Sequence, residues 1–184
     1  MYPLLRYVGE LVKYRNKPID LFDPHISTHR CMPWDIDPWL ELNNGRTLTL
    51  YDLARVPYFV RSGAIKVLTK NKWRVTVAGV SVRYRRRITA MEKITIYSKF
   101  LGWDERFFYT EQSIWNKHDE CANQVVVRSA IVGGNGIVPP AKMAEAYGYL
   151  GASPQMPDWV LNWIKAEDTR PWPPPNSPLA SNPK

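Results

Sequence analysis

Two aspartates, a glutamate and a pair of asparagines stand close together in Trp34-Asp35-Ile36-Asp37-Pro38-Trp39-Leu40-Glu41-Leu42-Asn43-Asn44-Gly45-Arg46. Carboxylates can draw a proton from water or attack an electrophilic carbon. Clustered carboxylates raise one another's pKa values, which suits acid–base work. In an extended segment Asp35 and Asp37 share a side at roughly 7 Å. Glu41 either joins them or faces solvent. Asn43 divides between a turn role and the orientation of water or substrate. Asn44 reads as a helix cap or a substrate contact, since a short amide accepts from free backbone N–H groups. Asp35 reads as a turn cap or arginine partner, or as a substrate contact.

A second group is basic. Arg83, Arg85 and Arg87 fall on one side of an expected strand, with Arg86 opposite. The forked guanidinium donors suit phosphate oxygens, so the row is a candidate phosphate clamp. A solvated strand face or a dimer rim is the plainer reading. His25, His29 and His118 lack metal-ligand spacing, and no metal site or cofactor is expected. Cys31 and Cys121 have neither metal nor redox-motif spacing and read as free thiols in a reducing compartment.

The element that positions the acidic stretch follows it directly. From Thr47 to Ser62, Leu48, Leu50, Tyr51, Leu53, Ala54, Val56, Tyr58, Phe59 and Val60 leave no continuous polar face. A helix of that kind is buried, with other elements around it. Asn43 or Asn44 can cap its start, Gly63 can end it in the left-handed conformation, and Pro57 should bend it or split its last turns. His25–Met32 suits a first strand. Strand patterns then run over 72–87, 92–101, 106–116 and 121–132. Tight turns at Ile88–Met91 and Lys117–Glu120 predict antiparallel pairing of consecutive strands. Gly133-Gly134-Asn135-Gly136 reads as a chain reversal, since nothing after it resembles a phosphate loop. A sheet curled round one central helix covers an all-apolar helix most economically.

Residues 1–16 read as a short amphipathic helix, with Leu4, Leu5, Val8, Leu11 and Val12 on one face. It would dock on the body of the domain or in a dimer contact, or serve as a weak membrane-surface anchor. Short helices are expected at 139–147 and 157–167, then a Pro-rich tail. The expected organisation is 1–24 helix and connector, 25–136 sheet-and-helix domain, 137–168 C-terminal helices packed on it, and 169–184 tail.

The 184 residues suffice for one core, and eight Trp, ten Tyr and five Phe supply it. A net charge of +8 favours anionic partners. Nucleic acid is disfavoured, because Trp73, Tyr84 and Tyr97 fit a core better than an exposed stacking platform. No stretch approaches the roughly 20 apolar residues that span a bilayer, and Arg6, Glu10 and Lys13 interrupt any signal-peptide pattern. The expected location is cytoplasmic.

The order of elements resembles the hot-dog fold, an α+β architecture. More narrowly, Asp35-x-Asp37, Asn43-Asn44-Gly45-Arg46 and Ala54-Arg55 resemble the 4-hydroxybenzoyl-CoA thioesterase-like superfamily. Leu101-Gly102-Trp103-Asp104-Glu105-Arg106-Phe107-Phe108-Tyr109 adds a likeness to its thioesterase superfamily member six branch. The resemblance implies an acyl-CoA thioester as substrate or ligand and a homodimer or homotetramer. It implies Asp37 as base or nucleophile, with Asn43 and Glu41 in the catalytic set. Asn44, Asp35, Arg83 and Arg85 would bind substrate. Glu41 stands where the family pattern has histidine, and Leu40 where it has glycine. The alternative is therefore a non-catalytic acyl-CoA or lipid-binding module.

Overall fold

The computed structural model describes residues 3–175. The chain divides into two units, Met1–Pro154 and Gln155–Lys184. Everything below concerns the first, apart from one helix, Asp158–Asp168, in the second. Pro178 and Pro183 of the expected tail lie outside the described residues.

The first unit is organised on α2, Asn44–Arg61. Leu50, Leu53, Ala54 and Tyr58 are wholly buried along it. Its partners are Ile94, Ile96, Ile114, Val125 and Val127 of the sheet, closed at one end by Cys31 and Ile88. Asn43 is the N-cap; its Oδ1 accepts from the N–H groups of Gly45 at 2.9 Å and Arg46 at 3.2 Å. Pro57 stays inside an unbroken helix, so of the expected bend or split the split does not occur. Gly63 ends it with φ 82°, and a further short helix the sequence did not signal, α3 Ala64–Lys70, follows at once.

The sheet contains β1 His25–Arg30, β2 Arg74–Tyr84, β3 Lys93–Trp103, β4 Phe108–Trp115 and β5 Cys121–Gly133. Their order is β1-β3-β4-β5-β2, with β6 Gly136–Val138 as a short partner of β5. Every pairing is antiparallel. The turn at Lys117–Glu120 joins two paired strands, as expected. The segment at Ile88–Met91 does not: β2 pairs with β5, and β3 with β1 and β4. Residues 85–92 instead cross from one sheet edge towards the other. Ile88 is buried in the core on the way, and its carbonyl accepts from Leu42 N–H at 2.8 Å. The glycine cluster is the chain reversal between β5 and β6, with Gly136 at φ 103°.

A second apolar cluster joins Ala64 and Leu68 of α3, Ile131, Val138 and Met143. Met143 comes from α4, Pro140–Tyr147. The N-terminal helix, α1 Leu4–Tyr14, docks by the face that carries Arg6, Tyr7, Glu10 and Tyr14, with Tyr7 packed on the core, Tyr14 buried and Leu11 half-buried. Arg6 reaches Asp35 at 2.8 Å and the Arg30 carbonyl at 2.9 Å, and Glu10 lies 3.8 Å from His29. The Tyr14 hydroxyl donates to the Ile26 carbonyl at 3.3 Å. Among the described residues no helix is long and apolar enough to cross a membrane. Both cysteines are free, and burial pushes the Cys31 thiol up to about 11.

Candidate functional site

The acidic stretch is a small closed loop. Pro33–Asp35 makes one 3₁₀ turn, and Ile36 and Leu42 then form an antiparallel bridge. Residues 37–41 are the tip. Asp37 N–H donates to the Glu41 carbonyl at 2.9 Å, and Leu40 N–H to the Asp37 carbonyl at 3.0 Å. Asp37 is half-buried, and its Oδ1 accepts from Trp39 N–H at 2.9 Å and Glu41 N–H at 3.4 Å.

The tip needs a left-handed residue, and Leu40 takes it at φ 60°. A Cβ in that region costs about 1–2 kcal/mol, which is why glycine suits this position. Leu40→Gly should therefore raise stability by about 0.5–1 kcal/mol, after the extra freedom glycine gives the unfolded chain. An increase in urea midpoint at unchanged slope would show it. A decrease would mean that the Leu40 side chain makes a contact worth more than the strain.

Asp35 is wholly buried. Its Oδ1 accepts from Arg46 Nε at 3.0 Å and Nη2 at 2.7 Å, and its Oδ2 from Arg6 at 2.8 Å and Met32 N–H at 3.1 Å. Its carbonyl accepts from Asn43 N–H at 2.9 Å. Burial alone would raise this carboxyl. The bonds from Arg46, Met32 and Arg6 outweigh it and hold the group below the usual carboxylate range. Asp35 is the arginine partner, with no oxygen exposed for a substrate.

Beside the start of α2 lies a cleft of ≈ 240 Å³. Glu41, Asn44, Thr47, Tyr84, Arg85, Arg86, Arg87 and Asn123 line it. Because β2 ends at Tyr84, the alternation expected for the arginines ends there too. Arg85, Arg86 and Arg87 all border the cleft, while Arg83 is exposed on the strand away from it. Arg87 Nε donates to Glu41 Oε2 at 2.8 Å, and its Nη2 to the Trp39 carbonyl at 2.9 Å. Arg86 lies 3.4 Å from Glu120. Of the carboxylates, Glu41 borders the cleft and Asp37 does not.

The backbone decides between the two asparagines that could cap α2. Asn43 is the cap, while Asn44, the first helical residue, is exposed in the cleft. Asn43 engages the N–H groups of Gly45 and Arg46 by its side chain and of Thr47 by its carbonyl. The Asn44 N–H is thus the helix-head donor that the cap leaves over. Thr47, Tyr84, Arg86 and Asn123 are cleft residues that sequence reasoning missed. Only Arg86 carried a signal, as part of the basic run.

At the other end of α2 is an apolar pocket of ≈ 60 Å³. Phe59, Leu68, Val75, Phe100, Trp103, Met143 and Tyr149 are among its walls. Phe59 lies twelve residues from Thr47 along α2, and Ser129 six from Asn123 along β5, so cleft and pocket stand roughly 20 Å apart in one chain. Among the described residues no three His, Cys, Asp or Glu side chains group as metal ligands would.

An antiparallel sheet in the order β1-β3-β4-β5-β2, curled round one buried helix with a polar loop at its head, defines a hot-dog protein. The same architecture occurs in a DHNA-CoA thioesterase from Staphylococcus aureus. That structure aligns with a TM-score of 0.58 at 15% identity, over 79% of this chain and 91% of that one. A thioesterase complexed with coenzyme A and Zn from Thermus thermophilus aligns with a TM-score of 0.56 at 21% identity, over 67% and 91%. In sequence, residues 31–164 match the Thioesterase-like superfamily. Protein THEM6 of Xenopus laevis is 31% identical over 162 residues, which are 86% of this chain and 77% of the relative. The chain belongs to the Thioesterase-like superfamily.

Proposed function

We propose that the protein hydrolyses acyl-CoA thioesters at the head of α2. The observation that carries this reading is the convergence there of the leftover Asn44 N–H, the Asn44 side chain and the Arg85–Arg87 cations on one cleft. A helix N-terminus favours negative charge, so that N–H can meet the oxyanion that develops when a thioester carbonyl is attacked. The arginines supply donors for the phosphates of coenzyme A. The family resemblance makes Asp37 the base that draws the proton from the attacking water, although it stands on the loop tip outside the cleft and Glu41 is the carboxylate that borders it; Asn43 serves the site by capping the head of α2.

A homodimer fits the same reading. β2 is an edge strand, with Val75, Val77 and Val80 exposed along it. An unpaired edge of that length is a template for a second strand. Two-fold antiparallel pairing of β2 with its copy sets the Tyr84 end of one chain beside the Val75 end of the other. The arginine cleft of one protomer then borders the apolar pocket of its partner, where the acyl part of the substrate would lodge.

One observation favours binding without turnover. Glu41, in the place of the family's histidine, borders the cleft and is held by Arg87. A negative group there opposes a developing oxyanion. Hydrolysis of a panel of acyl and aroyl CoA thioesters by wild type, Asp37→Asn and Glu41→His separates the two readings. Wild-type turnover that falls at least about a hundredfold in Asp37→Asn establishes the enzyme and its base. Turnover that appears only in Glu41→His assigns the cleft to binding. Silence in all three over the whole panel overturns the hydrolase reading.

A further inference from the structure

α1 is mounted in the inverse of the usual sense. A surface helix ordinarily buries its apolar stripe and shows its charges to water. Here Arg6, Tyr7, Glu10 and Tyr14 face the body: Arg6 donates to Asp35 and the Arg30 carbonyl, Tyr14 donates to the Ile26 carbonyl, Tyr7 packs on the core, and Glu10 lies 3.8 Å from His29. Leu4, Leu5, Val8 and Val12 are 65%, 91%, 55% and 55% exposed. At helical spacing these four form one continuous outward stripe. The polar contacts fix its direction, so the stripe is presented by the fold.

We infer that this stripe docks the protein on an anionic bilayer surface, with α1 lying in the plane of the headgroups. Charge complementarity selects that occupant. Lys13, Arg15 and Lys17 are exposed at the C-terminal end of the stripe. The acid within residues 3–17 is Glu10, which is turned inward, with Lys13 at 3.5 Å from it. Long basic side chains can lay their stems on lipid while their charged ends reach phosphates. The whole chain adds a net +8. The size of the patch argues against a second copy of the chain as occupant. Four aliphatic side chains offer a few hundred Å², whereas each partner in a stable protein interface gives up about 800 Å². Position argues the same way. α1 packs against α2 and bonds to β1, at the sheet edge remote from β2, where a continuing sheet would place a dimer partner.

The test is flotation of the full chain with vesicles of equimolar phosphatidylcholine and phosphatidylglycerol, and with phosphatidylcholine alone. Wild type should float with the anionic vesicles, less so as salt rises, and far less with the neutral ones. Leu5→Glu/Val8→Glu should lose at least about tenfold in partitioning, and so should Arg15→Glu/Lys17→Glu. These side chains lie outside the packed interior, so melting temperature and circular dichroism should match wild type and exclude misfolding. Wild type that stays with the neutral-vesicle baseline overturns the inference, as does a double variant that floats like wild type. Self-association that disappears in Leu5→Glu/Val8→Glu, with no vesicle binding by wild type, would give the stripe to a second copy instead.

Discussion

Acidification from about pH 7 to about pH 5 should cost the protein about 3–4 kcal/mol of stability, mostly through two histidines. His25 and His29 point inward from β1 and are buried. Burial first, then the cations Arg61 and Lys13, lower His25 to about 4. Burial, then Lys13, Arg6 and His25, lower His29 to about 3. In the unfolded chain both take up a proton near about 6.5. Below that value the unfolded state therefore binds more protons than the native one, and stability falls as pH falls. Each histidine contributes a slope of up to about 1.4 kcal/mol per pH unit until its folded value is reached. Glu10 and Asp52 work the other way, because burial raises both carboxyls and the native state binds their protons more readily. Their gain offsets part of the loss, while the two histidines, lowered to about 4 and about 3, set its sign. Urea midpoints at the two pH values measure the effect, and His29→Leu should remove about half of the pH dependence if it folds. Equal wild-type midpoints would mean that the histidines are not held neutral.

Asp35→Ala should destabilise by about 3–5 kcal/mol, the range for removing one partner from a buried ion pair. The change leaves Arg6 and Arg46 facing a carboxylate-sized void, and it strands the Met32 N–H. It also releases α1, which Arg6 holds at this point. Proteolysis within residues 3–17 should therefore accelerate beyond what the lower global stability predicts. Asp35→Asn should lose most of the same stability, because an amide aims a donor at one of two arginines. The pH dependence follows from the direction of the shift. Asp35 is held below its unfolded value, so its contribution is present above about pH 4 and is lost as pH falls through the folded value. A loss below about 1 kcal/mol in Asp35→Ala would show that water or a shifted arginine replaces the carboxylate.

The core is legible in the sequence because burial on all sides has a plain signature. The run Leu48–Val60 predicts the central helix, and alternation as in Ile94, Ile96 and Ser98 predicts half-buried strands. What the pattern does not carry is long-range order. The short segment at Ile88–Met91 looks like a hairpin turn locally; only the buried Ile88, whose carbonyl accepts from Leu42, makes it a crossover. The two asparagines are indistinguishable as caps in sequence, since choosing between them needs the backbone angle of each, and Asn43 lies extended just before the first helical residue. The arginine row reads as strand alternation because nothing in its composition marks the end of β2 at Tyr84. The facing of α1 is hidden for a related reason. Amphipathicity says that two faces differ, but a buried acceptor such as Asp35, 29 residues beyond Arg6 in the chain, decides which one turns inward.

The anchoring of the acidic loop bears on how such a site can change over generations. Asp35, the Ile36–Leu42 bridge and the Asn43 cap hold the base of the loop and the head of α2. The tip from Asp37 to Glu41 hangs from that base; apart from the Asp37 carboxylate, which accepts from Trp39 and Glu41 N–H, its internal bonds join backbone groups that any residue except proline would supply. Substitutions at the tip therefore cost little in foldability. A histidine can give way to a glutamate, and a glycine to a leucine, without unseating the helix. Selection on such a frame can explore new chemistry at the mouth while the architecture that presents it is inherited intact.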